Sequence, residues 1–264
     1  GCGLYYRFFE LPPFPRFHRN QLDLWADPAM MDDYRCCEIL LGNGAYIFWP
    51  APWPYALTEA ILVGRLQRRY ALVPVVSVEY EADGVWKSLE DLVKAGFAPE
   101  IRPWNQKQAV FGRVRAVYAN GLTVVVNRLP AEMPVSLPAG RIVLPQYGWA
   151  AFEPGGAFRA YSAYWPDTRK RVDFLDEGPG GLRFLNPRGD SVEGSKAIRL
   201  WSGPQLLWSV DPATATAKVQ GESLALNRPT PAPLTQLSFD FSQGLGNWVP
   251  TAGVLRVEKG DGGV

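Results

Sequence analysis

Polar and apolar residues alternate over residues 20–25, which reads as a short half-buried strand. Residues 44–49 (GAYIFW) are mostly apolar, end at the proline-rich stretch 50–54, and predict a compact strand. Residues 55–70 then follow a helical period, with Leu57, Ile61 and Leu66 on one side. Arg65, Arg68 and Arg69 lie near the C-terminus of that segment, where cations complement the helix dipole. A strand, a loop and an amphipathic helix in that order make a βα unit.

From residue 73 the pattern turns to strands. Residues 73–81 form the first, followed by a short helical segment over 85–94 that Gly96 would end. The clearest local signal is residues 113–127, two β-rich runs either side of Asn120-Gly121. Asn-Gly is a preferred two-residue hairpin turn, because both positions require positive φ. That turn predicts the pair Val117 with Val124, with Val117, Ala119, Leu122, Val124 and Val126 on one face. The other face then carries Val114, Ala116, Tyr118, Thr123 and Val125. Both are largely apolar, so the hairpin is expected to be covered on both sides. Three more strand pairs follow around Gly/Pro turns: 147–153 with 157–164, 170–176 with 182–186, and 197–201 with 205–210. The expected fold class is therefore mainly β with an α/β N-terminal piece, the β part an antiparallel sandwich. Residues 228–233 (RPTPAP) form a stiff linker, after which 237–241 and 253–258 open a new strand pattern.

Composition sharpens this picture. The 264 residues are enough for roughly two domains. With 26 Gly and 24 Pro, the chain suits short strands and many turns rather than a helical bundle. The formal net charge of +1 leaves no basic surplus to neutralise a phosphate backbone, so nucleic acid is not an expected partner. No apolar run approaches the roughly 18 residues of a membrane helix, and no membrane span is expected. Cys2, Cys36 and Cys37 show no metal-type spacing and read as buried thiols. His18 is the one histidine, which excludes sites needing two imidazoles; no metal and no cofactor are expected. There is no G-x-S-x-G motif, and Gly42-Asn43-Gly44 is too short for a phosphate loop.

Three stretches carry a family resemblance. NGLTVVVNR (residues 120–128) and LPAGRIVLPQYGWAAFEPGGAFRAYSA (residues 137–163) resemble the β-sandwich behind the catalytic barrel of bacterial glycoside hydrolase-like proteins. Residues 20–49 and the following helix resemble the last βα units of the (β/α)8 barrel in those proteins. FDFSQGLGNWVPTAGVLRVEKG (residues 239–260) resembles the first strands of jelly-roll carbohydrate-binding modules. The resemblance implies a division into barrel end (1–78), sandwich (79–228), and linker with the start of a further module (229–264). It also implies a longer, secreted or extracytoplasmic parent protein that acts on carbohydrate. In such barrels the catalytic carboxylates sit on middle strands, so no catalytic residue is carried over and the isolated chain is expected to be non-catalytic. The alternative is an interaction or glycan-binding module with no enzyme attached.

Candidate sugar contacts come from the first part of the chain. Asp23 and Asp27 flank Trp25 near a strand end, where barrel sites gather; a helix-capping carboxylate is the plain alternative. Trp49 and Trp53 lie around a Pro-rich loop, where a Trp face could stack on a sugar ring or simply pack. His18, between Arg16 and Arg19, could reach a hydroxyl or a carboxylate, or serve as an ordinary loop histidine.

Overall fold

The computed structural model describes residues 28–40, 42, 52–82, 84–96, 112–166, 168–219 and 222–225. All of them belong to the first of two units, residues 1–226. The strands expected over 20–25 and 44–49 lie outside the described residues, as does everything expected after residue 228.

The protein is mainly β, as the turn signals require. Among the described residues fourteen strands form one antiparallel sheet: β1 (Val75–Ala82), β2 (Val85–Ser88), β3 (Arg113–Tyr118), β4 (Thr123–Asn127), β5 (Met133–Leu137), β6 (Gly140–Leu144), β7 (Gly148–Phe152), β8 (Arg159–Tyr164), β9 (Arg171–Asp176), β10 (Leu182–Asn186), β11 (Ile198–Ser202), β12 (Gln205–Asp211), β13 (Thr216–Val219) and β14 (Glu222–Ala225). Their order is β14-β13-β12-β11-β10-β9-β8-β7-β4-β3-β1-β2, so β7 to β14 run as an unbroken meander. The hairpin β5–β6 leaves this path and touches it through Val143 opposite Tyr164.

Two apolar cores lie on opposite faces of the sheet. On one face a cross-strand row of Ala116, Val124, Ala151, Ala160, Leu175, Phe184 and Leu200 is covered by helices. These are α1 (Pro28–Leu40), α2 (Trp53–Thr58), a π-helical turn (Glu59–Val63) and α3 (Gly64–Tyr70). On the other face Met133, Val135, Leu137, Ile142 and Leu144 of the β5–β6 hairpin pack onto Val125, Ala150, Tyr161 and Phe174. The central strands β7 to β9 are thus buried on both sides.

The helix expected over 55–70 exists but starts at Trp53, contains the π turn, and buries a different stripe. Thr58, Glu59, Leu62, Val63, Leu66 and Tyr70 face inward, while Leu57 and Ile61 are only half-buried. The segment packs against the sheet, as an apolar helical face must in water. The helix expected over 85–94 shrinks to α4 (Leu89–Lys94), because residues 85–88 pair with β1 as a strand. Ser88 is its N-cap: the hydroxyl accepts from the Asp91 amide at 3.1 Å and donates to the Asp91 carboxylate at 2.7 Å.

The Asn-Gly hairpin forms with a different register from the one expected. Val117 pairs with Thr123, and Ala116 with Val124. The Gly121 amide donates to the Tyr118 carbonyl at 2.8 Å, and the Tyr118 amide to the Leu122 carbonyl at 2.9 Å. The loop therefore has three residues, 119–121, and only Gly121 takes positive φ, at +85°. A three-residue loop with a glycine bulge uses the same dipeptide as a two-residue turn. Asn120 instead bridges chain segments, donating to the Arg69 carbonyl at 2.8 Å and accepting from the Leu122 amide at 3.1 Å. The one-residue slip re-pairs the faces. Val114, Ala116 and Tyr118 share the helix-covered core with Leu122, Val124 and Val126.

Candidate functional site

Two polar constellations stand out, one under each face of the sheet. The first is buried. Ser162, Asp173 and Asn186 are cross-strand neighbours on β8, β9 and β10, a polar row on the helix-covered face. Helix α1 brings Asp32 and Arg35 to this row, and the π turn brings Glu59. The Arg188 guanidinium donates to both Asp32 oxygens, at 2.8 and 2.7 Å, and lies 3.4 Å from Asp173. Arg171 reaches Asp32 at 2.9 Å and donates to the Ser162 hydroxyl at 3.1 Å. Arg35 donates to Glu59 at 3.0 Å and stands 3.8 Å from Asp173. Asn186 donates to the Thr58 hydroxyl at 3.0 Å and to Asp173 at 3.2 Å, closing the network onto α2.

Three guanidiniums thus face the three carboxylates of Asp32, Glu59 and Asp173. Burial alone would raise the Asp173 pKa, but Arg188, Arg35 and Arg171 outweigh it and hold its carboxyl below the usual range. Glu38, one turn after Tyr34 and hydrogen-bonded by its phenol, goes the other way. Burial and then the Glu59 carboxylate push its pKa well up. Burial also raises both thiols on α1, Cys37 to about 12; these two are the buried thiols expected from sequence, and Cys2 lies outside the described residues. These groups lock the helices to the sheet. Their carboxylates are buried, while Arg188 and Arg171 keep about a fifth of their side-chain surface exposed.

The second constellation is open. Between β1–β4 and the overhanging β5 lies a groove of about 470 Å³. Trp86 and Phe152 supply aromatic walls, with Val117, Val125, Met133 and Val135 between them. Glu79 and Arg115 form its charged end: Arg115 donates to one Glu79 oxygen at 2.8 Å and its guanidinium lies 4.8 Å from the Trp86 ring centroid. Thr123 and Ser136 add hydroxyls. Both charged side chains keep about a quarter or more of their surface in solvent, at 25% for Glu79 and 31% for Arg115. The arrangement can accept and donate several hydrogen bonds beside an apolar wall.

Of the residues singled out from sequence, His18, Asp23, Trp25, Asp27 and Trp49 lie outside the described residues. Trp53 opens α2 and packs, half-buried, against the helix-side core. The groove residues were not found from sequence. Trp86 was read as helical, and its true place, opposite Glu81 in a β1–β2 hairpin, needs the register of that pair. The Ser88-x-x-Asp91 capping pattern was the available signal, since it starts the helix after Ser88. Comparison of the chain with known protein families, with curated proteins and with solved structures finds no match.

Proposed function

We propose that this chain is the β-rich supporting part of a carbohydrate-active, glycoside hydrolase-like protein, and that its open groove contacts glycan. In this reading residues 1–78 close a (β/α)8 barrel, residues 79–228 form the sandwich behind it, and residues 229–264 open a further module. The groove is the observation that carries the glycan contact. A sugar ring offers apolar C–H faces and a rim of hydroxyls; Trp86 and Phe152 suit the first, and the Glu79–Arg115 pair suits the second. The helices occupy the opposite face, so the groove stays open while the helical side is engaged.

Hydrolysis is not assigned to these residues. Glycoside cleavage generally needs two carboxylates flanking one bond. Glu38 and Glu59, the two neighbouring carboxylates on the helices, are at 1% and 0% exposure. Titration of the chain with short neutral oligosaccharides, followed by calorimetry and tryptophan fluorescence, tests the reading. Binding that Trp86→Ala abolishes is the expected result. If no oligosaccharide binds, or Trp86→Ala and Phe152→Ala bind as the parent does, the groove is not a glycan site.

A further inference from the structure

The groove does not end at Phe152. Cross-strand partners project from the same face of a sheet, and the ladder continues the groove's floor strand by strand. Thr123 opposes Phe152, Phe152 opposes Arg159, and Arg159 opposes Asp176. Asp176 opposes Arg183, and Arg183 opposes Trp201. These six residues form one transverse row on the face away from the helices. None of them is fully buried. The overhanging β5–β6 hairpin packs on the neighbouring row, with Val125, Ala150, Tyr161, Phe174 and Leu185, and leaves this one partly exposed. From β4 to β11 the row crosses five strand spacings, a span of about 24 Å.

The far end of the row is built differently from the groove. The Arg183 and Arg199 guanidiniums lie 4.8 and 5.1 Å from the Trp201 ring centroid. Both lean on one carboxylate, Glu193, at 2.6 and 3.4 Å. Arg159 is held by Asp176 at 2.7 Å. Three cations therefore share two acids among the described residues, while Arg199 also donates to the Val192 carbonyl at 2.8 Å. An added carboxylate beside Trp201 would balance the charge and accept from planar donors that suit it.

We propose that this row is an extended binding track for an acidic oligosaccharide, entering at the Trp86 groove and placing uronate carboxylates over Arg159, Arg183 and Arg199. This rests on the groove's reading as a glycan site and adds the length and charge of the ligand. Aromatic faces at both ends, Phe152 and Trp201, and guanidiniums between them match a chain of rings that carries carboxylates along its rim.

The test compares three probes on the full chain: a uronic acid hexasaccharide, its carboxyl-reduced neutral counterpart, and a neutral disaccharide. The acidic hexasaccharide should bind at least about tenfold more tightly than the reduced one at low salt, and the gap should narrow as salt screens the guanidiniums. Arg183→Ala and Trp201→Ala should each remove about tenfold for the acidic hexasaccharide and leave the disaccharide unchanged. Arg183→Lys keeps the charge and loses the fork, so it serves as the folded control with an intermediate loss. Equal affinity for the acidic and reduced hexasaccharides, or no loss in Arg183→Ala and Arg183→Lys, overturns the track while Trp86-dependent disaccharide binding survives. If none of the three probes binds, the groove reading falls with it.

Discussion

Replacing Asp32 with Asn is the sharpest probe of how the helices are held. Asp32 sits on α1 and is 6% exposed. Its carboxylate accepts from Arg188 at 2.8 and 2.7 Å and pairs with Arg171 at 2.9 Å. Each hydrogen bond to a charged group is worth roughly 1.5–3 kcal/mol net, and removing one partner of a buried ion pair costs roughly 3–5 kcal/mol. Two features lower the figure. Asn keeps one acceptor oxygen, and the Arg188 and Arg171 side chains retain 22% and 19% exposure, so water relieves part of the loss. The expected cost is about 3 kcal/mol. Urea denaturation at neutral pH should show the midpoint falling with m unchanged. Glu132→Gln is the control, because Glu132 pairs with an Arg169 that is 73% exposed, and it should stay within about 0.5 kcal/mol. An Asp32→Asn cost no larger than that of Glu132→Gln would mean the network does not hold α1 in place.

Other outcomes follow from the same contacts. These two groups make stability fall on both sides of about pH 4, by opposite linkages. The lowered Asp173 pKa contributes stability present above about 3.8 and lost as pH drops through the folded value. The raised Glu38 pKa contributes stability complete below about 4.5 and lost as pH climbs through the folded value, so Glu38→Gln should flatten the upper limb of a denaturation-versus-pH curve. Leu66→Ala, at a fully buried position between α3 and the sheet, should cost roughly 2–5 kcal/mol by chemical denaturation. Gly121→Ala should cost about 1 kcal/mol or more, since φ is +85° and a Cβ would sit 3.1 Å from Pro154; an unchanged midpoint would contradict the three-residue loop.

Strand order was legible at several short turns, though not at the β1–β2 hairpin, whose second strand reads as helical. The pairs β7–β8, β9–β10 and β11–β12 all lie where Gly/Pro signals put them. Register was less legible, because Asn-Gly serves two loop lengths with opposite face pairings. Local turns also say which strands are neighbours without saying where a sheet ends. A run of hairpins does not say that β5–β6 folds back over the face of the sheet that the other strands form. The buried polar row left a trace in sequence, since Asp173 interrupts the apolar run of β9 and Ser162 that of β8. Its partners could not be named, because Asp32 and Arg188 lie 156 residues apart and no periodicity links them. The open track has the same character: Phe152, Arg159, Arg183 and Trp201 form a line only once four hairpins are in register.

The topology also sets the loop-closure costs of assembly. From β7 to β14 every strand pairs with its neighbour in the chain, so each new pairing closes only a short loop and the meander can zip from any hairpin. The contacts that seat the helices span far more chain: 95 residues for Arg128 with Asp33, 112 for Arg65 with Glu177, and 156 for Arg188 with Asp32. Docking of α1 to α3 therefore carries the larger loop-closure cost, and it buries charges whose partners lie on strands far along the chain. A sheet deprived of its helices would expose the apolar row from Ala116 to Leu200, so loss of helix docking would expose an aggregation-prone surface.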